Sequence, residues 1–415
     1  MIPMEITRKT RVLLRKYLFS LHRHPVRSFC EKSSKETASR EEWPRRVVTG
    51  VQPTGALHIG NYFGAVRRCV RLLDQGEDLT VFIADLHSLT VRQDASVLQR
   101  NTLELAAYLI ASGLEPARCV VFQQSAVPRH AELCWALACV ATLARLSHLP
   151  QYKEKAKLYK EVPVGLLLYP VLQAADVLVY GGTHVPVGRD QLQHLQLAAQ
   201  LVRSFNHRYG AALPAPQPLL PDDGSDRILS LRDPTKKMSK SDTDPKSRVL
   251  LSDPDDVIEL KIRKAVTDFT PHVTYDPESR PGVSNLVRLH CLAADILPEE
   301  AVEEADGLNT AQYKAVVARA LVRHLAPIRE RARRLLADPR VIHAALQHGA
   351  ARARARADTT HERLARLMGT APLYTTLARD GGGAAGGEPA PAPRTRRPAD
   401  CATAAPEDRP TRVAN

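Results

Sequence analysis

The segment Gln52-Pro-Thr-Gly-Ala-Leu-His-Ile-Gly-Asn61 gathers a glutamine, a histidine and an asparagine around two glycines. The β-branched run Val47-Val-Thr49 precedes it, and Val66, Val70 and Leu73 follow at i, i+4 and i+7, a helical spacing. Strand, glycine-rich turn and helix in that order suit a phosphate: the helix start offers unpaired N–H groups and the positive end of the macrodipole. Gly55, Gly60 and Gly64 let a ligand approach the backbone, and His58 and Asn61 supply side-chain donors. The glycines alone also fit a loop that merely needs glycine. A second segment, Asp233-Pro-Thr-Lys-Lys-Met-Ser-Lys-Ser-Asp242, sets Lys237 and Lys240 on either side of Met238-Ser239, on an expected loop after Leu229-Ser-Leu231. Lysine is a compact point charge suited to polyphosphate; taken alone, the segment also fits a solvated basic loop.

The chain has 415 residues, 44% of them hydrophobic, which allows two or three domains and a sizeable core. Its formal net charge of +13 favours a polyanionic partner, although part of the excess lies in the termini. Seven cysteines include no Cys-x-x-Cys pair, so neither a disulfide framework nor a zinc site is expected, and a reducing compartment fits. No apolar run reaches the roughly eighteen residues of a membrane span. No Ser/His/Asp or Cys/His constellation stands out, and no internal repeat is visible.

The elements that must position these residues alternate. Strands are expected near Val47–Thr49, Leu79–Asp85 and Cys119–Gln124. Helices are expected from Ser96 to a stop at Gly113 and through Trp135 to Leu143. A second half holds Ala174–Tyr180, Val185–Gly188 and a helix from Asp190 towards Arg208, and Pro214–Asp226 reads as a loop before the sheet closes near Ile228–Leu231. This is an α/β pattern: a doubly wound parallel (Rossmann-type) nucleotide-binding sheet. Ligands bind such sheets at the C-terminal ends of the strands, which puts residues 52–61, 85–87 and Gln124 near one crevice. The expected organisation is a catalytic domain over residues 45–250 with an insertion at about 145–168, then a helical domain over 251–370 in which Pro327 breaks or kinks a helix. Lys314–Leu336 interleaves apolar and basic residues, as an RNA-binding face or as salt-bridged solvated helix. Residues 371–415, rich in Gly, Ala, Pro and Arg, are expected to be a disordered tail. Residues 1–44 read as a presequence and linker. Met1–Cys30 carries seven Lys and Arg with Glu5 as the only acid, and Leu14, Leu18 and Leu21 near one helical face. That pattern fits mitochondrial targeting, hence the matrix, or else a basic tail on a cytosolic protein.

His-Ile-Gly-Asn61 early in a βα turn, followed much later by Lys237-Met-Ser-Lys-Ser241, resembles the paired HIGH and KMSKS signatures of class I aminoacyl-tRNA synthetases. Gln52-Pro-Thr-Gly55, Gly60-Asn-Tyr-Phe-Gly-Ala65, Tyr169-Pro-Val-Leu-Gln-Ala-Ala-Asp176 and Val185-Pro-Val-Gly188 narrow the resemblance to the tryptophanyl-tRNA synthetases of bacterial and mitochondrial type, from about Arg46 to about Gly369. It implies ATP-dependent attachment of L-tryptophan to tRNA(Trp) through an adenylate. ATP is then a substrate carrying Mg2+, with no tightly held cofactor or protein metal site, and the assembly is a homodimer. Such chemistry needs positioning and charge stabilisation rather than a protein nucleophile.

By the same resemblance, ATP is held by Gln52, His58, Ile59, Gly60 and Asn61, by Gly188, Arg189 and Asp190, by Ile228 at the adenine, and by Lys237, Met238, Ser239, Lys240 and Ser241. His58, Asn61, Lys237, Lys240 and Lys155 act on the reacting phosphates; Lys155 in its charged run equally fits a surface lysine. Asp176 is costly inside so apolar a helix unless paired. It fits either a structural aspartate or an acceptor for the indole N–H, which only donates, and the resemblance favours the second. His87, Tyr169, Gln173 and Gln191 complete the amino-acid pocket. Two departures stand out: Gln173 where bacterial relatives often carry Met, and Arg189 where the family usually carries Glu. The alternatives are tyrosine specificity on the same fold, a nucleotidyltransferase without tRNA, and an RNA-binding paralogue impaired in catalysis.

Overall fold

In the computed structural model, which describes residues 43–221 and 223–373, five parallel strands stand in the order β3-β2-β1-β4-β5. They are β1 Val47–Val51, β2 Leu79–Ile83, β3 Val120–Gln123, β4 His184–Pro186 and β5 Gln217–Leu219. Register runs Val47 opposite Leu79, Thr80 opposite Val120, and Val47 opposite His184. β2 is buried along its whole length, which explains its unbroken apolar run. The chain winds outward from β1 to β3, then returns to add β4 on the other side of β1. The β1–β4 boundary is therefore the switch point, where an open parallel sheet leaves a crevice at its carboxyl ends.

The β3-side helices are α1 Arg67–Asp74, α2 Ala95–Ala111 and α3 Arg129–Ala138; α4 Val164–Leu178 and α5 Leu192–Tyr209 flank the second half. The helix expected through Trp135 to Leu143 is two helices. It stops at Ala138, and a short one over Leu143–Ser147 restarts where the Thr142 hydroxyl accepts from Arg145 N–H at 3.4 Å. The sheet does not close at Ile228–Leu231. Its last strand is β5, inside the stretch read as loop; Pro218 there lacks an N–H, which an edge strand tolerates. Ser230 and Leu231 N–H donate instead to Lys236 O and Ser247 O, both at 2.8 Å.

The C-terminal helices are α6 Asp255–Arg263, α7 Pro281–Ala294, α8 Thr310–Ala337 and α9 Pro339–Met368. α8 runs through Pro327 without a break. The proline lies on the exposed face, where water can take the freed carbonyl, and Leu325 and Ile328 on either side are buried. Tyr313 and Leu321 of α8 share one apolar core with Val47 and Val81 of the sheet. α9 returns across β3, where Gly349 lies so close that a Cβ would stand 1.8 Å from Val121 O. No described helix is long and apolar enough to cross a membrane. The presequence and tail expectations fall on residues outside those described.

Candidate active site

A cavity of about 670 Å³ opens at the switch point. β1 leads into one wall through Gln52, His58, Gly60 and Asn61, and β4 leads into another through Gly188, Asp190 and Gln191. His58 caps the first turn, its Nδ1 accepting from Asn61 N–H at 3.3 Å. Burial, then Lys240, Arg248 and Lys237 in that order, push the His58 ring down to about 4, so it is neutral near pH 7 and its proton sits on Nε2 as a donor. The turn is pinned from behind: Ile59 N–H donates to Val249 O and Leu251 N–H to Leu57 O, each at 2.9 Å. A Cβ on residue 60 would stand 2.9 Å from the His58 ring, so only glycine keeps that ring in place.

The lysine loop folds onto this turn. Met238 N–H donates to Ile228 O at 3.0 Å, and Lys240 Nζ donates to Gly55 O at 3.1 Å and Thr54 Oγ1 at 3.2 Å. Burial lowers Lys240 to about 8. Lys237 is exposed, with Nζ 4.0 Å from Asp190 Oδ1. Four cationic or donor groups, His58, Lys237, Lys240 and the turn's own N–H groups, thus face one space that suits a polyphosphate.

The other end of the cavity is built around Asp176 on α4, 1% exposed. Its Oδ1 accepts from Gln124 Nε2 at 2.6 Å and His130 Nδ1 at 2.7 Å; Oδ2 accepts from His87 Nε2 at 2.7 Å. Burial alone would raise this carboxyl, but His87 and then His130 hold it down at about 2. Because the Asp176 carboxylate only accepts, His130 Nδ1 is the donor of that pair, and the Tyr180 hydroxyl meets the other ring nitrogen, Nε2, at 2.7 Å. A carboxylate has about four lone-pair positions, and three are filled, leaving about one on Oδ2 for a donor from the cavity. Beside it, His194 Nδ1 meets Gln191 Oε1 at 2.9 Å and its Nε2 meets Tyr169 Oη at 3.2 Å. Burial and Lys155 lower His194 to about 4. Gln173 Nε2 donates to Gln191 Oε1 at 3.4 Å, and Lys155 Nζ stands 4.9 Å over the Tyr169 ring. Charged, donor-rich walls at one end and aromatic and amide walls at the other describe a pocket for a nucleotide and an amphipathic small molecule.

Residues 40–326 match the family described as tRNA synthetases class I (W and Y). The tryptophan–tRNA ligase of Caulobacter vibrioides is 45% identical over 331 residues, 79% of this chain and 96% of that protein. The one from Caldanaerobacter subterraneus is 43% identical over 325 residues, covering 78% and 98%. The chain belongs to the tryptophan–tRNA ligases of class I. Among solved structures, tryptophanyl-tRNA synthetase from Mycoplasma pneumoniae superposes with a TM-score of 0.72 at 31% identity, covering 78% of this chain and 97% of that one. The Campylobacter jejuni synthetase complexed with ADP and tryptophan gives 0.67 at 29% identity, covering 78% and 99%.

Most residues singled out in the sequence of this synthetase line the one cavity. They are Gln52, His58, Gly60, Asn61, His87, Lys155, Tyr169, Gln173, Asp176, Gly188, Asp190, Gln191, Lys237, Met238, Ser239 and Lys240. Four do not. Ile59 and Ile228 are core residues, so only their backbone can meet a ligand. Ser241 lies beyond the wall, its N–H spent on Ser239 Oγ at 3.2 Å. Arg189 is 61% exposed and turns its Nε to Asp226 Oδ2 at 3.7 Å. Sequence reasoning missed His130, Tyr180 and His194, which touch the pocket residues, because a lone histidine in a helix or a lone tyrosine in the turn after one carries no motif. It missed Asp226 because the residue lies in a segment read as connecting loop.

Proposed function

We propose that this chain attaches L-tryptophan to tRNA(Trp) for mitochondrial protein synthesis. A tryptophan carboxylate oxygen attacks the α-phosphorus of ATP, the bond to the β-phosphate breaks, and pyrophosphate leaves with its electrons. A terminal ribose hydroxyl of the tRNA then attacks the carbonyl carbon and AMP departs. The observation that carries the amino-acid choice is Asp176: a buried, ionised carboxylate at the cavity wall with about one lone pair open to a donor-only group such as the indole N–H. His58 Nε2–H and the Asn61 amide donate to the triphosphate. Lys237 and Lys240 meet the charge that grows on the leaving pyrophosphate, where such interactions raise the rate most. Mg2+ arrives on ATP. The test is ATP–pyrophosphate exchange with tryptophan and then tyrosine, followed by charging of tRNA(Trp); exchange with tyrosine alone would overturn the assignment.

The tRNA partner is supported by Arg319, Arg323, Arg333 and Arg334, exposed along α8. A second copy of the chain is the proposed partner of the large apolar side chains left exposed on or after α3, Trp135, Leu143, Leu158 and Val164, and sedimentation of Trp135→Glu against the parent checks it. The basic N-terminal thirty residues support import into the matrix. Fusing them to a fluorescent reporter tests this, and diffuse cytosolic fluorescence would refute it.

A further inference from the structure

Three carboxylates line the cavity, and two are engaged. Asp176 holds three donors, and Asp190 Oδ2 accepts from Gln191 Nε2 at 2.6 Å with Lys237 at 4.0 Å from Oδ1. Asp226 is different. Its side chain is only 9% exposed, yet among the described residues it pairs with Arg189 alone, whose Nε stands at 3.7 Å, beyond hydrogen-bond reach. A carboxylate that lines a cavity with no protein donor in hydrogen-bond reach keeps its acceptor capacity for a donor on a ligand. Its location says which. A Cβ on Gly64, in the helical turn that follows Asn61, would stand 3.9 Å from the Asp226 Cα, and two residues on, Ile228 O receives the Met238 N–H. Asp226 therefore belongs to the nucleotide end of the cavity, between the glycine-rich turn and the lysine loop, and not to the Asp176 end.

We propose that Asp226 binds ATP by accepting a hydrogen bond from a neutral donor on its nucleoside, and that Arg189 is a positioning residue that holds Asp226 in place. The inference rests on the nucleotide reading of the cavity given above. The triphosphate is excluded as the partner, because it is itself anionic and offers no donor near neutral pH. The nucleoside offers two kinds, the ribose hydroxyls and the exocyclic amine of adenine. On this view the exposed Arg189 serves the site without lining the cavity: its guanidinium, 3.7 Å from Asp226 Oδ2, holds the carboxylate in place by charge attraction.

The experiment is calorimetric binding of ATP, 2′-deoxyATP, 3′-deoxyATP and purine riboside triphosphate to the full chain, without tryptophan. Omitting the amino acid separates this proposal from the tryptophan assignment, which the exchange assay tests by itself. In the parent, one analogue is expected to bind about tenfold more weakly than ATP, the worth of one charge-assisted hydrogen bond. The identity of that analogue reports whether ribose or adenine is the partner. In Asp226→Ala, ATP weakens about tenfold and the same analogue binds as well as ATP. Arg189→Ala weakens ATP by roughly threefold in the parent background and not at all in the Asp226→Ala background, because its effect passes through the carboxylate. If Asp226→Ala does not fold, Asp226→Asn, which keeps the shape but loses the charge, should weaken ATP by about threefold and shrink the preference over that analogue. Unchanged ATP binding in the Asp226 variants, or an undiminished preference for ATP over the analogues, overturns the proposal. So does restoration of ATP binding by excess Mg2+, which would make Asp226 a metal ligand instead.

Discussion

Lys240 and Gly55 lie 185 residues apart in sequence, and the ammonium of one donates to the carbonyl of the other at 3.1 Å. The lysine loop is thus closed onto the glycine-rich turn through its own basic residue, and a nucleotide phosphate entering the space must draw that ammonium off a neutral carbonyl. The exchange is favourable because a charge-assisted bond to phosphate is the stronger one.

Burial holds Lys240 at about 8, which makes a pH prediction with a definite sign. Its folded-state value is lowered, so the cation is complete below about 8 and is lost as pH rises through it. kcat/KM for ATP in pyrophosphate exchange, which reports the free enzyme, should fall on the alkaline side of that value. Lys240→Arg keeps its charge to beyond pH 12, so its alkaline limb should be missing even if its rate is lower. Parent and variant profiles that fall together above pH 8 would assign the limb to another group.

Asp176→Asn should weaken the use of tryptophan. The amide replaces one oxygen by a donor, and that donor must face His87 or the pair His130 and Gln124, all of which already donate. One mispaired buried group costs ~1–3 kcal/mol, roughly ten- to a hundredfold. kcat/KM for tryptophan in exchange should fall by that amount, the melting temperature should drop, and the affinity for ATP should hold. Loss of stability with tryptophan use unchanged would make Asp176 purely structural.

The sequence is most legible where one residue type answers to one constraint. β2 and β3 are nearly unbroken buried runs because both faces of a parallel sheet are covered, β1 opens on a β-branched run, and the glycine-rich turn and lysine loop carry motifs that survive as linear text. β5 was hidden by Pro218 and by its exposure at the sheet edge. The unbroken passage of α8 through Pro327 depends on which face the proline occupies, and that depends on the packing of Leu325 and Ile328 against other elements. In the site, Asp176 was visible as a carboxylate among apolar residues. Its three donors come from β2, β3 and α3 or the turns that leave them, so only the folded chain brings them together.

The contact of α9 with β3 makes a stability prediction. Gly349→Ala places a methyl group 1.8 Å from the carbonyl oxygen of Val121, a backbone atom that cannot rotate away. Relief requires α9 to lift from the sheet, and overpacking of this kind costs ~1–3 kcal/mol. The midpoint of thermal or urea unfolding should fall accordingly. An unchanged midpoint would mean that α9 is not seated on β3 as described.

Arg189→Glu installs the residue the family usually carries, and the structure gives a reason to expect it to weaken ATP binding rather than improve it. Arg189 is paired with Asp226 at 3.7 Å, so glutamate would set two carboxylates side by side where one is already poorly hydrated. Like charges at that separation destabilise each other by about 1 kcal/mol in solvent-exposed surroundings and by more as water is excluded. Both negative charges also lie near a site for a polyanion. Arg189→Glu should therefore raise the apparent Kd for ATP by roughly three- to tenfold, more than Arg189→Ala does, and the excess should shrink as ionic strength increases. Adding Asp226→Ala to Arg189→Glu removes the repulsion, so the difference between Glu and Ala at position 189 should largely vanish in that background. Titrations of ATP at two salt concentrations in the four proteins decide the matter. Tighter ATP binding by Arg189→Glu would mean that a carboxylate at position 189 reaches the nucleotide directly, and that Asp226 does not stand in its way.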